Sequence, residues 1–144
     1  MQLALRYPAG RYRPEALPDL NARAARERLS PAALKAFFNI MTRWHVRDED
    51  ARVLLGGVTN GPFYEMKKDP DRVLDADRLT RISYLVGIFK ALNILHSRPL
   101  ADEWMQLPNA HVIFAGARPL DYLMSGGLPA MQLVRRLLDA RRAG

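Results

Sequence analysis

Four arginines crowd the last ten residues, Arg135, Arg136, Arg141 and Arg142, with Asp139 the one acid among them. Guanidinium groups pair carboxylates and phosphates through a fixed fork of donors, so such a cluster at a free end suits entry into a partner's cleft. The same residues also suit the last turns of a helix, whose carbonyl end favours cations. Composition does not choose between the two. A second group, Thr59, Asn60, Tyr64, Lys67 and Lys68, lies on one short stretch and combines hydroxyl, amide and ammonium groups that can reach base edges and phosphates. Arg78 and Arg81 could add phosphate contacts, while Glu65 among them argues for a solvated polar face. Nothing is arranged for catalysis. His45, His96 and His111 stand too far apart for a zinc motif, no Gly-rich phosphate loop follows a strand, and no GxSxG occurs. Asp48-Glu49-Asp50 and Asp69/Asp71 flank helical stretches, where capping accounts for them. The expectation is a protein with no enzymatic activity, no metal and no cofactor.

The bulk composition fits a binding protein. With 144 residues, 49% hydrophobic and 26% charged, the chain can bury a core as one domain or two small ones. It has no cysteine, hence no disulfide and no thiolate metal site. The net charge of +7, carried mostly by arginine, points to a polyanionic or acidic partner, the alternative being that the excess only keeps the protein in solution. The longest apolar runs, Leu85–Phe89 and Val112–Ala117, fall far short of the roughly 20 residues a spanning helix needs. The N-terminus, interrupted by Arg6, Pro8, Gly10 and Arg11, has no signal-peptide core. A cytoplasmic location is expected.

The elements that would position these groups are helical. Residues 1–28 carry scattered prolines and arginines without a period, which predicts an extended arm. Ser30-Pro31 reads as an N-cap and first helical residue, followed by Leu34, Phe37, Phe38, Met41 and Trp44 on one stripe to about residue 45. The acids of 48–50, the stripe Ala51, Leu54 and Leu55, and a Gly56-Gly57 stop predict a second, short helix. A third covers 60–68, and the pair has the outline of a helix-turn-helix. Asp75 should cap a spine helix over 76–96, apolar on more than one face and therefore buried between the two halves. Pro99 opens a helix to about Gln106 that Leu107-Pro108-Asn109 ends. After the loop AHVIFAGA, too short in its alternation for a strand, Pro119 starts a helix that Gly126-Gly127 stops at 125, and Pro129 starts the last one.

Taken in order, these stretches resemble a known family. LSPAALKAFF, RWHVRDEDARVLLGGVTNGPFYEMKK, DRLTRISYLVGIFKALNILHS, ADEWMQLPNAHVIFAGARPLDYLMSGG and VRRLLDARRAG, together four-fifths of the chain, are similar to the Xre/MbcA/ParS antitoxins of RES–Xre type II toxin–antitoxin pairs. The resemblance implies an all-α protein, with an Xre-like helix-turn-helix domain over 29–97 and a small helical toxin-binding domain over 98–144. It further implies a toxin with a RES domain, similar in fold to ADP-ribosyltransferases, that depletes NAD. The antitoxin would occlude that toxin's active site, bind operator DNA to repress its own operon, and form a homodimer within a toxin–antitoxin hetero-oligomer. Carried onto this chain, the toxin-facing residues would be Trp104, Asn109, Phe114, Arg118, Asp121, Arg135, Arg136, Leu138, Arg141, Arg142 and Gly144, with Pro108, Pro119 and Gly126 shaping the same surface. Thr59, Asn60, Tyr64, Lys67, Lys68, Arg78 and Arg81 would face DNA. Cutting the chain after Arg136 should then weaken neutralisation and leave the fold intact. The alternative is a free-standing Xre-like transcriptional regulator whose C-terminal part only dimerises.

Overall fold

A computed structural model describes residues 18–143, and all regular structure in it is helical. Helix α1 runs Arg23–Arg43, α2 Asp48–Leu54, α3 Asn60–Lys68, α4 Ala76–Leu95 and α5 Arg98–Glu103, followed by a 3-10 turn at Trp104–Gln106 and by α6, Pro119–Ala143.

The first helix begins at Arg23, well before the expected cap at Ser30, and the reason lies outside its own sequence. Ser30 is fully buried inside α1, where its Oγ donates to the Arg26 carbonyl at 2.6 Å and accepts from the Leu74 N–H at 2.9 Å. The hydroxyl thus fastens the α3–α4 linker to α1 instead of capping a helix. Pro31 removes one backbone donor, but the turn before it is held by the Arg23–Glu27 ion pair and by Arg26 Nη1, which donates to the carbonyls of Leu20 and Asn21. The extended arm therefore loses residues 23–28 to helix; its residues 1–17 lie outside those described.

The spine forms as expected. Asp75 caps α4, its side chain accepting from the Arg78 N–H at 2.8 Å. Leu79, Ile82, Leu85, Ile88, Ala91 and Leu92 are buried, and α4 packs against α1 on one side and α6 on the other. At 20 residues it is slightly shorter than α1, with 21. The aromatics of α1 are core: Phe37 and Trp44 are inaccessible to solvent, and Phe38 stands edge-on to Phe63 of α3 at 5.4 Å. Gly56 and Gly57, with φ of 95° and 88°, end α2 in the left-handed region. At Gly127 (φ 62°, ψ −144°) α6 breaks, and a new helical stretch resumes toward Pro129, as the Gly-Gly and proline signals require. The loop 107–118 is a series of turns without a strand.

Candidate functional site

The C-terminal surface is built on two aromatic anchors. Trp104 and Phe114 are 7% and 3% exposed and meet edge-on at 5.7 Å, and Phe114 meets Tyr122 the same way at 5.4 Å. They are core residues, and so is Leu138, which has no exposed surface at all. The expectation has these three facing a toxin; in the chain they are packed in the core and support the surface from beneath.

Asn109 closes the loop they anchor. Its N–H donates to Ala117 O at 3.1 Å, its carbonyl accepts from Gly116 N at 2.9 Å, and its Oδ1 accepts from His111 N at 2.9 Å. The closure places Ala115 (φ 50°) and Gly116 (φ 85°) in the left-handed region and leaves Val112 at the tip, 83% exposed. A side chain that apolar and that exposed is a contact candidate which the short sequence alternation did not reveal.

Arg118 and Asp121 serve inside the chain. The guanidinium pairs the carboxylate through Nε at 2.9 Å and Nη2 at 2.7 Å, while Nη1 donates to Gln106 Oε1. Gln106 in turn donates to the carbonyls of Trp44 at 3.0 Å and His45 at 3.3 Å. This clamp ties the start of α6 to the end of α1. The hydrogen bond from Arg118 holds the Asp121 carboxyl below its usual range and raises the guanidinium in return. Arg43 adds a second tie, pairing Asp102 at 3.0 Å while lying over the Phe89 ring at 5.2 Å. Neither Gln106 nor Arg43 carries a local sequence signal, because their partners stand 62 and 59 residues away along the chain.

The arginines of the tail divide. Arg135 lies in the α4–α6 seam with Nε donating to Asp139 at 3.0 Å, and Arg142 reaches the same carboxylate at 3.5 Å. Arg136 and Arg141 are exposed and make no ion pair among the described residues. Gly144 lies outside the described residues.

The second cationic surface is gathered around α3. Thr59 and Asn60 are exposed at its start, Tyr64 is 59% exposed, and Lys67 and Lys68 are exposed at its end. Thr59 is the N-cap residue but its side chain makes no capping hydrogen bond. Lys67 pairs with Asp48 of α2 at 3.0 Å; Arg78 pairs with Asp75 and Arg81 with Asp77. Arg81 lies against the α2–α3 turn, since a Cβ on Gly56 would come within 3.2 Å of its Nε. Among the described residues no group of three or more His, Asp or Glu could hold a metal ion. No described helix is long and apolar enough to cross a membrane.

A tryptophan-anchored loop, a broken last helix and an arginine-rich end, all resting on one spine, make up a helical C-terminal module. Residues 91–144, from the last turns of α4 to the C-terminus, match the C-terminal toxin-binding domain of the antitoxins Xre/MbcA/ParS. The chain is also 39% identical over 115 residues to the uncharacterized protein y4oB of Sinorhizobium fredii (strain NBRC 101917 / NGR234), covering 79% of this chain and 87% of that protein. No solved structure matches it. The chain belongs to the Xre/MbcA/ParS antitoxin family, and its C-terminal part is a toxin-binding domain.

Proposed function

We propose that the chain neutralises a RES-domain toxin that depletes NAD, by seating the end of α6 in the toxin's active-site cleft. The division of labour would fall near residue 97, with 29–97 forming an Xre-like helix-turn-helix unit and 98–144 the toxin-binding unit. In a cytoplasmic toxin–antitoxin assembly built on an antitoxin homodimer, the α2–α3 hairpin would hold operator DNA through Asn60, Tyr64, Lys67 and Lys68.

The observation that carries this reading is the state of the tail. Arg136 and Arg141 are solvent-exposed guanidinium groups with no in-chain acid among the described residues, on a helix fixed to the core by buried Val134 and Leu138. A cleft that accommodates the pyrophosphate of NAD must offer polar, anion-compatible surroundings, and an inserted helix end blocks it without mimicking the nucleotide. The arginines would meet acidic or carbonyl groups there, because an unpaired buried charge costs several kcal/mol, roughly 3–5 when one partner is missing. Hot-spot contacts of this kind concentrate in few residues.

The test is co-expression with the product of the adjacent reading frame. The two proteins should co-purify, and cellular NAD should fall when that product is expressed alone and recover when this chain is present. A neighbour that neither binds this chain nor lowers NAD would return the chain to the reading of a free-standing regulator.

A further inference from the structure

Glycine in the middle of a helix is a poor choice for the helix itself, yet Gly87 sits buried halfway along α4. Its neighbour explains it. A Cβ built there would lie 2.7 Å from Arg135 Nε, and nearer still to Cζ and Nη1, so the guanidinium of Arg135 rests flat on the bare backbone of the spine. In that position its Nε donates to Asp139 Oδ2 at 3.0 Å. The side chain is 35% exposed, and its Nη groups have no acceptor among the described residues. Arg142 approaches from one face of Asp139 at 3.5 Å, an ion-pair distance that leaves Asp139 Oδ1 without a hydrogen bond. The three side chains and Ala143, all on α6, line an open notch of 370 Å³ beside Gly87 of α4. Two guanidinium groups and one carboxylate leave one positive charge at the notch.

We propose that Gly87, Arg135, Asp139 and Arg142 form a notch for a single carboxylate side chain of the toxin, which forms only because Gly87 has no side chain. It rests on the toxin-binding reading and gives that reading a second contact, beside the protruding end of the tail. Asp139 orients Arg135 so that the planar fork presents two parallel donors to an incoming carboxylate. Arg142 closes on the other side. Gly87 is a positioning residue that acts through Arg135, since methylating the floor displaces the end of a flexible side chain and leaves the helix backbone undisturbed.

The measurement is toxin affinity by calorimetry alongside thermal melting, using the full chain and its co-purifying toxin. Gly87→Ala should melt no lower than the parent, because alanine favours the helix, and bind at least tenfold more weakly. Arg135→Ala should show the same loss, and Gly87→Ala with Arg135→Ala together should bind no worse than Arg135→Ala alone. Arg135→Lys keeps the charge but not the fork, and should behave like Arg135→Ala. One acidic residue of the toxin, changed to its amide, should reproduce the loss and add nothing to it in the presence of Arg135→Ala. If parent and Gly87→Ala bind alike, or if the losses at Gly87 and Arg135 add in full, the notch is not a contact. Should Gly87→Ala melt lower, Arg135→Lys still decides: parental affinity overturns the proposal. A parent chain that fails to bind the toxin sinks both readings, whereas tight binding indifferent to Gly87 and Arg135 sinks this one alone.

Discussion

Around the α2–α3 hairpin, Lys67 faces Asp48, Arg78 faces Asp75 and Arg81 faces Asp77; at the end of α6, Arg136 and Arg141 face no acid among the described residues, and Arg135 and Arg142 share one. The two surfaces have similar cation content but different remaining charge. Around the hairpin Lys67, Arg78 and Arg81 each have a carboxylate from their own chain, so a polyanion must compete for them, while exposed Lys68 has none among the described residues. Exposed pairs of that kind are individually weak, about 0.2–1 kcal/mol, and can be exchanged for phosphate contacts at little cost. The tail starts with its charge uncompensated and its helix anchored. Such a surface gains on meeting an acidic partner without first breaking a bond of its own. The hairpin is thus suited to salt-sensitive, reversible binding, and the tail to a tight, local fit.

The largest effect should come from the residue that anchors the tail. Leu138→Ala opens a cavity at a position with no exposed surface and should lower stability by about 2–5 kcal/mol, read from thermal or urea melts. A parental melt would mean that the end of α6 is not part of the core, and the contrast with the hairpin would collapse. The same burial changes how the tail must be cut. Ending the chain at Arg136 removes Leu138 and confounds folding with binding, so the clean variant ends at Ala140. That truncation removes Arg141 and Arg142 and should reduce toxin affinity about 100-fold, roughly 2.7 kcal/mol, with melting unchanged within about half a kcal/mol, as is typical of surface changes. Unchanged inhibition of the toxin by this shortened chain would take the arginine end out of the mechanism.

A smaller effect sharpens the other side. Replacing Lys67 and Lys68 by alanine should leave melting close to parental and make the salt dependence of operator binding shallower by a slope of about 2, near one unit for each phosphate no longer neutralised. An unmoved slope would assign both lysines to the polar face of the hairpin, with Lys67 serving only Asp48.

What the sequence disclosed and withheld follows one rule. Elements set by local chemistry were legible: the Asp75 cap, the Gly56-Gly57 stop, the break at Gly127 and the double-faced spine all come from neighbours a few residues apart. Ser30-Pro31 misled because a hydroxyl before a proline has the same local signature whether it caps a helix or bonds to Leu74, 44 residues away. Among the candidate contacts, Trp104, Phe114 and Leu138 proved to be core because an apolar residue's type does not say which way its side chain faces. The family resemblance assigns Arg118 and Asp121 to a partner, yet three elements of their own chain use them first. Gly87 was invisible as a functional position for the opposite reason: its contribution is an absence, which acquires meaning only when Arg135 is seen lying across it.

The Arg118–Asp121 clamp gives the mildest prediction and tests whether the two surfaces are mechanically joined. Asp121 has its folded carboxyl pKa below the ordinary 3.8, chiefly through the hydrogen bond from Arg118. Its contribution to stability is therefore fully present above the unfolded value and is lost as pH falls through the folded one. Half-exposed side chains on both partners screen the pair, so Asp121→Asn should cost only about 0.2–1 kcal/mol at neutral pH. The cost should shrink as pH falls below the ordinary carboxylate range and vanish only once the parent carboxyl, held lower by Arg118, is protonated as well. Freed from the carboxylate, Arg118 would also hold Gln106 less firmly and loosen its tie to the Trp44 and His45 carbonyls at the end of α1. A pH-independent cost would mean that Asp121 acts by packing alone, and the toxin-binding surface would then be joined to the first helix through Arg43 and Asp102 instead.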